Sequence, residues 1–355
     1  MYRSLFAYLL FLLGCAPLGA QELAHTLYDF SPLQVNPAKV ATSSDMALLF
    51  GNRSQRYNSD LTFNTALLSA RMPVHTGTGL RRGGVGLSFY SDQSGALGEL
   101  SLRAISTAFG YNLWLNKKQV ISMGFSGSFY QRRISTDNIT TGSQYIPNAG
   151  YDPTLGIGED LLNLQATFMS FGAGLRWGMP DARGGYRYHL GAAAFHLNSP
   201  DDSFFGASNP VPLRLSAEGA ARVLSNERIA LSPGGWFLYQ DGRQYYQATL
   251  TLSRFIDNTN PYDPIGNGRV DLRLGYTSTQ ALTVAVVFHQ PYYQIALSQD
   301  IRLSNEIDLN VGGAATEVAL SIRKTLGGKR KEKKGKTPSG ESDPRIGTTR
   351  DLGNR

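Results

Sequence analysis

The chain has 355 residues, 41% hydrophobic and 11% aromatic but only 17% charged, where soluble globular domains carry about 25% charged residues. Its net charge of +7 is gathered at one end, because residues 327–355 hold nine Lys/Arg against four Asp/Glu. That leaves the body near neutrality, with no basic face for nucleic acid.

The first residues, MYRSLFAYLLFLLGCAPLGAQE, place Arg3 ahead of an apolar run from Leu5 to Leu13 and then small residues. This reads as a secretory signal peptide, residues 1–20, cut after Ala20 to expose Gln21. A second reading stays open, since Leu12-Leu13-Gly14-Cys15 resembles a lipoprotein cleavage and acylation site. Cys15 is the only cysteine. If it leaves with the leader, the mature chain has no disulfide, thiolate metal site or cysteine nucleophile. Residues 21–44 follow as an expected N-terminal periplasmic segment. Within it Pro37 holds Asn36 out of helix, giving a turn that plugs or lines the periplasmic mouth.

From residue 45 the pattern changes to strict alternation. Val85, Leu87 and Phe89 alternate with small residues, and Ile121, Met123, Phe125 and Phe129 with Ser122, Gly124, Ser126 and Ser128. Phe171, Leu175 and Trp177 alternate with glycine and Arg176, and Leu250 and Leu252 with Thr251 and Ser253. In YYQIALSQDIRLS, Tyr293, Ile295, Leu297, Ile301 and Leu303 share one face, interrupted only by Gln299, and Gln294, Ser298, Asp300 and Arg302 the other. A period of two means strands with one apolar and one polar face. About fourteen such segments lie between residues 45 and 326, each near the roughly 9–11 residues of a membrane-crossing strand. Turn signals separate them at Asn116, Pro180, Ser225 and Gln240, and longer loops run from about 136 to 160 and from 199 to 210. The run from Asp257 to Gly268 is long for the short-turn side.

The polar face is small and hydroxylated, as a wet or tightly filled lumen requires. Trp114, Trp177, Trp236, Tyr239, Tyr245-Tyr246 and Tyr292-Tyr293 bracket strands in the manner of interfacial aromatic belts. Lipid also demands closure, because an open edge leaves backbone N–H and C=O groups without partners. The expected fold is therefore all-β: a closed antiparallel transmembrane β-barrel of about 14 strands over residues 45–326, in a bacterial outer membrane and in contact with its lipid. The basic tail, 327–355, is read as disordered. An even strand number puts both termini on the periplasmic side, where the tail could meet an anionic partner. A secreted soluble sandwich or propeller would use the same alternation with its apolar faces turned inward.

Side chains for chemistry are sparse. His25, His75, His189, His196 and His289 show no metal-ligand spacing. GFSGSF at Gly124 lacks the spacing of a nucleophile elbow, and its glycines read as small lumen-facing residues. Asp257–Asp263 and Asp201-Asp202 offer oxygen ligands, for which solvated turns are the commoner use. No catalytic, metal or cofactor-binding residue is assigned and no enzymatic activity is expected.

The stretch LYDFSPLQVNPAKVAT, Leu27 to Thr42, resembles the opening of the PorP/SprF family, with Asn36-Pro37-Ala38 at its centre. AAAFHLNSPDDSFF, carrying His196 and Pro200, resembles a strand-to-loop passage of that family, and YYQIALSQDIRLS and TEVALSIRK its closing pair. Lys39 departs from the pattern, standing where an aromatic or small residue is more usual, and the tail is an addition. The resemblance implies an outer-membrane protein of the type IX secretion system of Bacteroidota, associated with secretion and gliding motility. It implies partners among secreted cargo such as adhesins and among the secretion subunits, with Asn36-Pro37-Ala38 as a possible contact. The alternative function is a passive channel for small solutes.

Overall fold

A computed structural model describes residues 25–56, 62–76, 80–95, 100–135, 142–152, 154–156, 164–181, 185–203, 208–256, 268–303 and 314–324. The leader with Cys15, the site at Gln21, the Asp257–Asp263 run and the basic tail lie outside the described residues.

Fourteen strands form the wall. They are β1 Met46–Arg56, β2 Thr62–His75, β3 Arg81–Gly95, β4 Leu100–Trp114, β5 Val120–Ile134, β6 Gln165–Pro180 and β7 Tyr186–Phe195. The second half is β8 Arg214–Ala221, β9 Ile229–Gln240, β10 Arg243–Ile256, β11 Gly268–Thr277, β12 Ala281–His289, β13 Tyr293–Arg302 and β14 Ala315–Lys324. Each pairs antiparallel with its sequence neighbours, and β1 pairs with β14 from Met46↔Lys324 to Gln55↔Ala315, which closes the barrel. Every backbone ladder therefore has a partner on both sides, as a wall in hydrocarbon needs.

The alternation is resolved in favour of an outward apolar face. Ile295, Leu297 and Ile301 are 42%, 53% and 51% exposed, while Ala296, Ser298 and Asp300 between them are buried. Phe109, Phe125, Met169, Leu175 and Leu190 project outward in the same way. A soluble sandwich would bury these side chains. Two expected belt aromatics turn the other way: Trp236 and Tyr245 are buried, facing inward, because an aromatic side chain from the N-terminal segment waits there for them. Of the two glycines in GFSGSF only Gly124 faces the lumen, whereas Gly127 shares its face with Phe125 and lies against Phe171.

Met46 and Lys324 pair at one end of the barrel, the base. The opposite end carries the longest connections, 135–164, 196–213 and 303–314. It also holds the tightest, a two-residue Asp241-Gly242 turn between Gln240 and Arg243. Both of its residues have positive φ, 50° and 74°, the geometry that makes Asp-Gly a preferred hairpin link.

Residues 25–42 are not part of the wall. They form a 3-10 turn at Tyr28–Phe30, a single helical turn at Pro32–Val35 and a second 3-10 turn at Pro37–Thr42. Leu27, Val35, Ala38, Val40 and Ala41 are wholly buried. Inside a barrel, only the inward faces of the strands can bury them. The stretch expected as a periplasmic segment is thus, from residue 25, packed within the lumen.

Candidate functional site

The lumen is built for this filling. Where the segment passes the wall, the inward position is glycine on five successive strands. A Cβ on Gly84 (β3) would overlap the Val40 carbonyl, on Gly110 (β4) would meet Ala41 and Val40, and on Gly124 (β5) would overlap the backbone of Pro37 and Ala38. On Gly174 (β6) and Gly191 (β7) it would strike the Asn36 amide. The backbone approach here is close enough that no larger residue fits without displacement.

Asn36 explains the first motif. Its side-chain oxygen accepts from the Ala38 N–H at 2.9 Å, capping the second 3-10 turn, as Asn does at helix starts. Its NH2 donates to the Leu175 and Ala192 carbonyls at 3.0 and 3.3 Å, joining the segment to β6 and β7. Pro37 starts the turn with its fixed φ, and Ala38 is the small residue that Gly124 admits. Further down, Asn112 donates to the Ala41 carbonyl at 2.8 Å and Arg81 to that of Thr42 at 2.7 Å.

Two charged clusters hold the other side. Lys39 pairs with Glu218 at 3.0 Å and with Asp29 at 3.6 Å. Arg176 reaches Glu218 at 3.2 Å and Arg273 reaches Asp29 at 2.8 Å. Tyr28 lies between the two cations, 5.7 Å from Lys39 Nζ and 5.6 Å from the Arg273 guanidinium, and its ring packs on Trp236. Asp29 is thus a partly exposed carboxylate set between two cations. The second cluster spans the closing seam. Arg53 of β1 donates to Asp300 of β13 at 2.8 Å and approaches Glu317 of β14 at 3.4 Å. Thr26 completes it: its hydroxyl bonds Asp300 and Arg53, and its N–H and that of Leu27 donate to Glu317 at 2.9 and 3.2 Å.

His196 and Pro200 act elsewhere. His196 is buried in a left-handed conformation, φ 59°, with Nδ1 2.9 Å from the Ser170 hydroxyl and its ring against Tyr130. Pro200 accepts from the Val211 N–H at 2.8 Å. Asp202 pairs with Arg132, and Asp201 accepts from the Asn209 N–H. These bonds fold the 196–213 connection back over the barrel mouth. Ala192 beside Asn36 and His196, just past the end of β7, are four positions or about 13 Å apart, so the two motifs do not meet. Between the folded connection and the lumen filling lies a vestibule of about 480 Å³, lined by His25, Gln34, Tyr90, Asp92, Tyr130, Arg132 and Asp202 among others. Among the described residues no three His, Cys, Asp or Glu side chains converge on a cation position.

The pairing of the lumen's charged residues escaped sequence reading. Arg53, Arg176, Glu218, Arg273, Asp300 and Glu317 each stand on the inward polar face of a strand. A charge halfway along a membrane strand must point inward and find a partner, and that is the signal they offered.

Over residues 18–315 the chain matches the family described as type IX secretion system membrane protein PorP/SprF. None of the curated proteins compared matches it. Among solved structures, the Pseudomonas putida toluene transporter TodX is 12% identical with a TM-score of 0.45, covering 83% of this chain and 93% of its own. A Pseudomonas aeruginosa FadL homologue is 12% identical with a TM-score of 0.35, covering 82% and 93%. The β domain of the Bordetella autotransporter BrkA is 9% identical with a TM-score of 0.37, covering 78% and 98%. Likenesses this distant carry no functional argument.

Proposed function

Because this chain belongs to the PorP/SprF family of type IX secretion system membrane proteins, we propose that it is an outer-membrane accessory barrel that receives or holds secreted cargo at its loop end. The observation that carries the reading is the filled lumen. Segment 25–42 occupies the inside down to glycine contact and is tied to six or more strands, so the barrel is a closed platform and not an open conduit. What remains open is the vestibule, at the end with the long connections. Its lining mixes aromatic, acidic and basic side chains, a composition suited to polypeptide. In this reading the base, with Met46 and Lys324, faces the periplasm, and the basic tail beyond it offers an electrostatic handle to an anionic partner of the machinery. The role is not catalytic.

The test replaces Asn209–Pro212, which line the vestibule, by a Gly-Ser link and compares surface and medium proteomes with those of the native strain. Loss of a surface protein, with its precursor retained and the barrel still folded, is the expected result. Undiminished surface display of every secreted protein would end the proposal. A passive channel requires instead steady conductance from the native chain, which the filled lumen opposes.

A further inference from the structure

Residues 25 and 45 stand at opposite ends of the lumen. Asp45 precedes β1 at the base, and Arg81 at the base end of β3 holds the Thr42 carbonyl. The segment then climbs past Asn112, Gly124 and Gly174 in turn. At its far end Thr26 and Leu27 donate to Glu317. The register pairs Glu317 with Arg53, seven residues above the Met46–Lys324 rung, or about 23 Å along the strand. His25 goes further: it meets Glu317 at 3.3 Å, stands edge-on to Tyr90 at 6.4 Å and lines the vestibule.

We propose that the chain ahead of His25 leaves the barrel through the vestibule, so that the amino terminus and the carboxyl-terminal tail emerge on opposite faces of the membrane. Strand parity fixes only where β1 begins and β14 ends. It says nothing about a leading segment that crosses back through the lumen, and for this reason both termini are expected on one side from sequence. This inference rests on the cargo-platform reading only for which face is outside. With that assignment, the amino-terminal end belongs to the cargo-facing surface and the tail to the machinery below.

The experiment uses the full chain with a single new thiol, Glu22→Cys or Ser339→Cys, and a membrane-impermeant maleimide applied to intact and to lysed cells. The native chain is the blank. A short epitope inserted after Gln21, read by antibody, repeats the measurement with reach beyond the vestibule. The expected result is reaction at the amino terminus in intact cells and at the tail only after lysis. The reverse pattern keeps the termini on opposite faces and overturns the orientation given in the preceding section. Reaction of both termini under the same condition, intact or lysed, overturns the inference itself.

Discussion

At Gly124 a single hydrogen stands where any other residue would drive a carbon into the backbone of Pro37 and Ala38. Gly124→Val should therefore cost roughly 1–3 kcal/mol, the range for overpacking a filled interior, read as a lower temperature at which the barrel loses its folded mobility on a gel. The same substitution at Gly127, whose space is bounded only by the edge of Phe171, should leave that temperature nearly unchanged. Glu218 is the common anion of Lys39 and Arg176. Glu218→Leu strands Arg176 and leaves Lys39 only the more distant Asp29, and should cost about 3–5 kcal/mol, as breaking buried pairs does. Lys39→Met leaves Glu218 with Arg176 and should cost clearly less. Equal costs would show that the two cations do not share the anion. Lys39 is matched by these acids on the wall and on the segment itself.

At the scale of the element, the lumen segment is held by charge as well as by apolar contact. Asp29 meets Arg273 at 2.8 Å and Lys39 at 3.6 Å. Protease protection of residues 25–42 should thus be weaker in Asp29→Asn than in the native chain, and equal protection would contradict the pairing. The strands were legible in sequence because a wall with one apolar face imposes a period of two, as YYQIALSQDIRLS shows with the single exception of Gln299. The lumen segment was legible only as a turn at Pro37. Its partners lie 139 to 291 positions away, at Leu175, Glu218 and Glu317, and no local period links such residues. Trp236 and Tyr245 misled for the same reason: their environment is set by Tyr28, which belongs to no strand.

For the whole molecule, the filled lumen separates a platform from a pore. The native chain should show no steady conductance in planar bilayers. Lys39→Glu puts a third carboxylate beside Asp29 and Glu218; it should loosen the filling, and stepwise conductance should appear. A native barrel that conducts as readily as the variant would return the passive channel to first place. The seam cluster has one more consequence. Thr26, Leu27, Arg53, Asp300 and Glu317 join the leading end of the chain to its first strand and its last two. The pairing of β1 with β14 bridges more than 250 residues, the contact with the largest loop to close and so the slowest to find. A wall that rolled shut before that end was in place would have to draw the end in through one mouth and out toward the other. Assembly in the reverse order needs no such passage, because a chain laid along the open sheet is enclosed as the edges meet. The leading end then acts as a mandrel: it is the first part of the protein to be made, and the rest is wound around it.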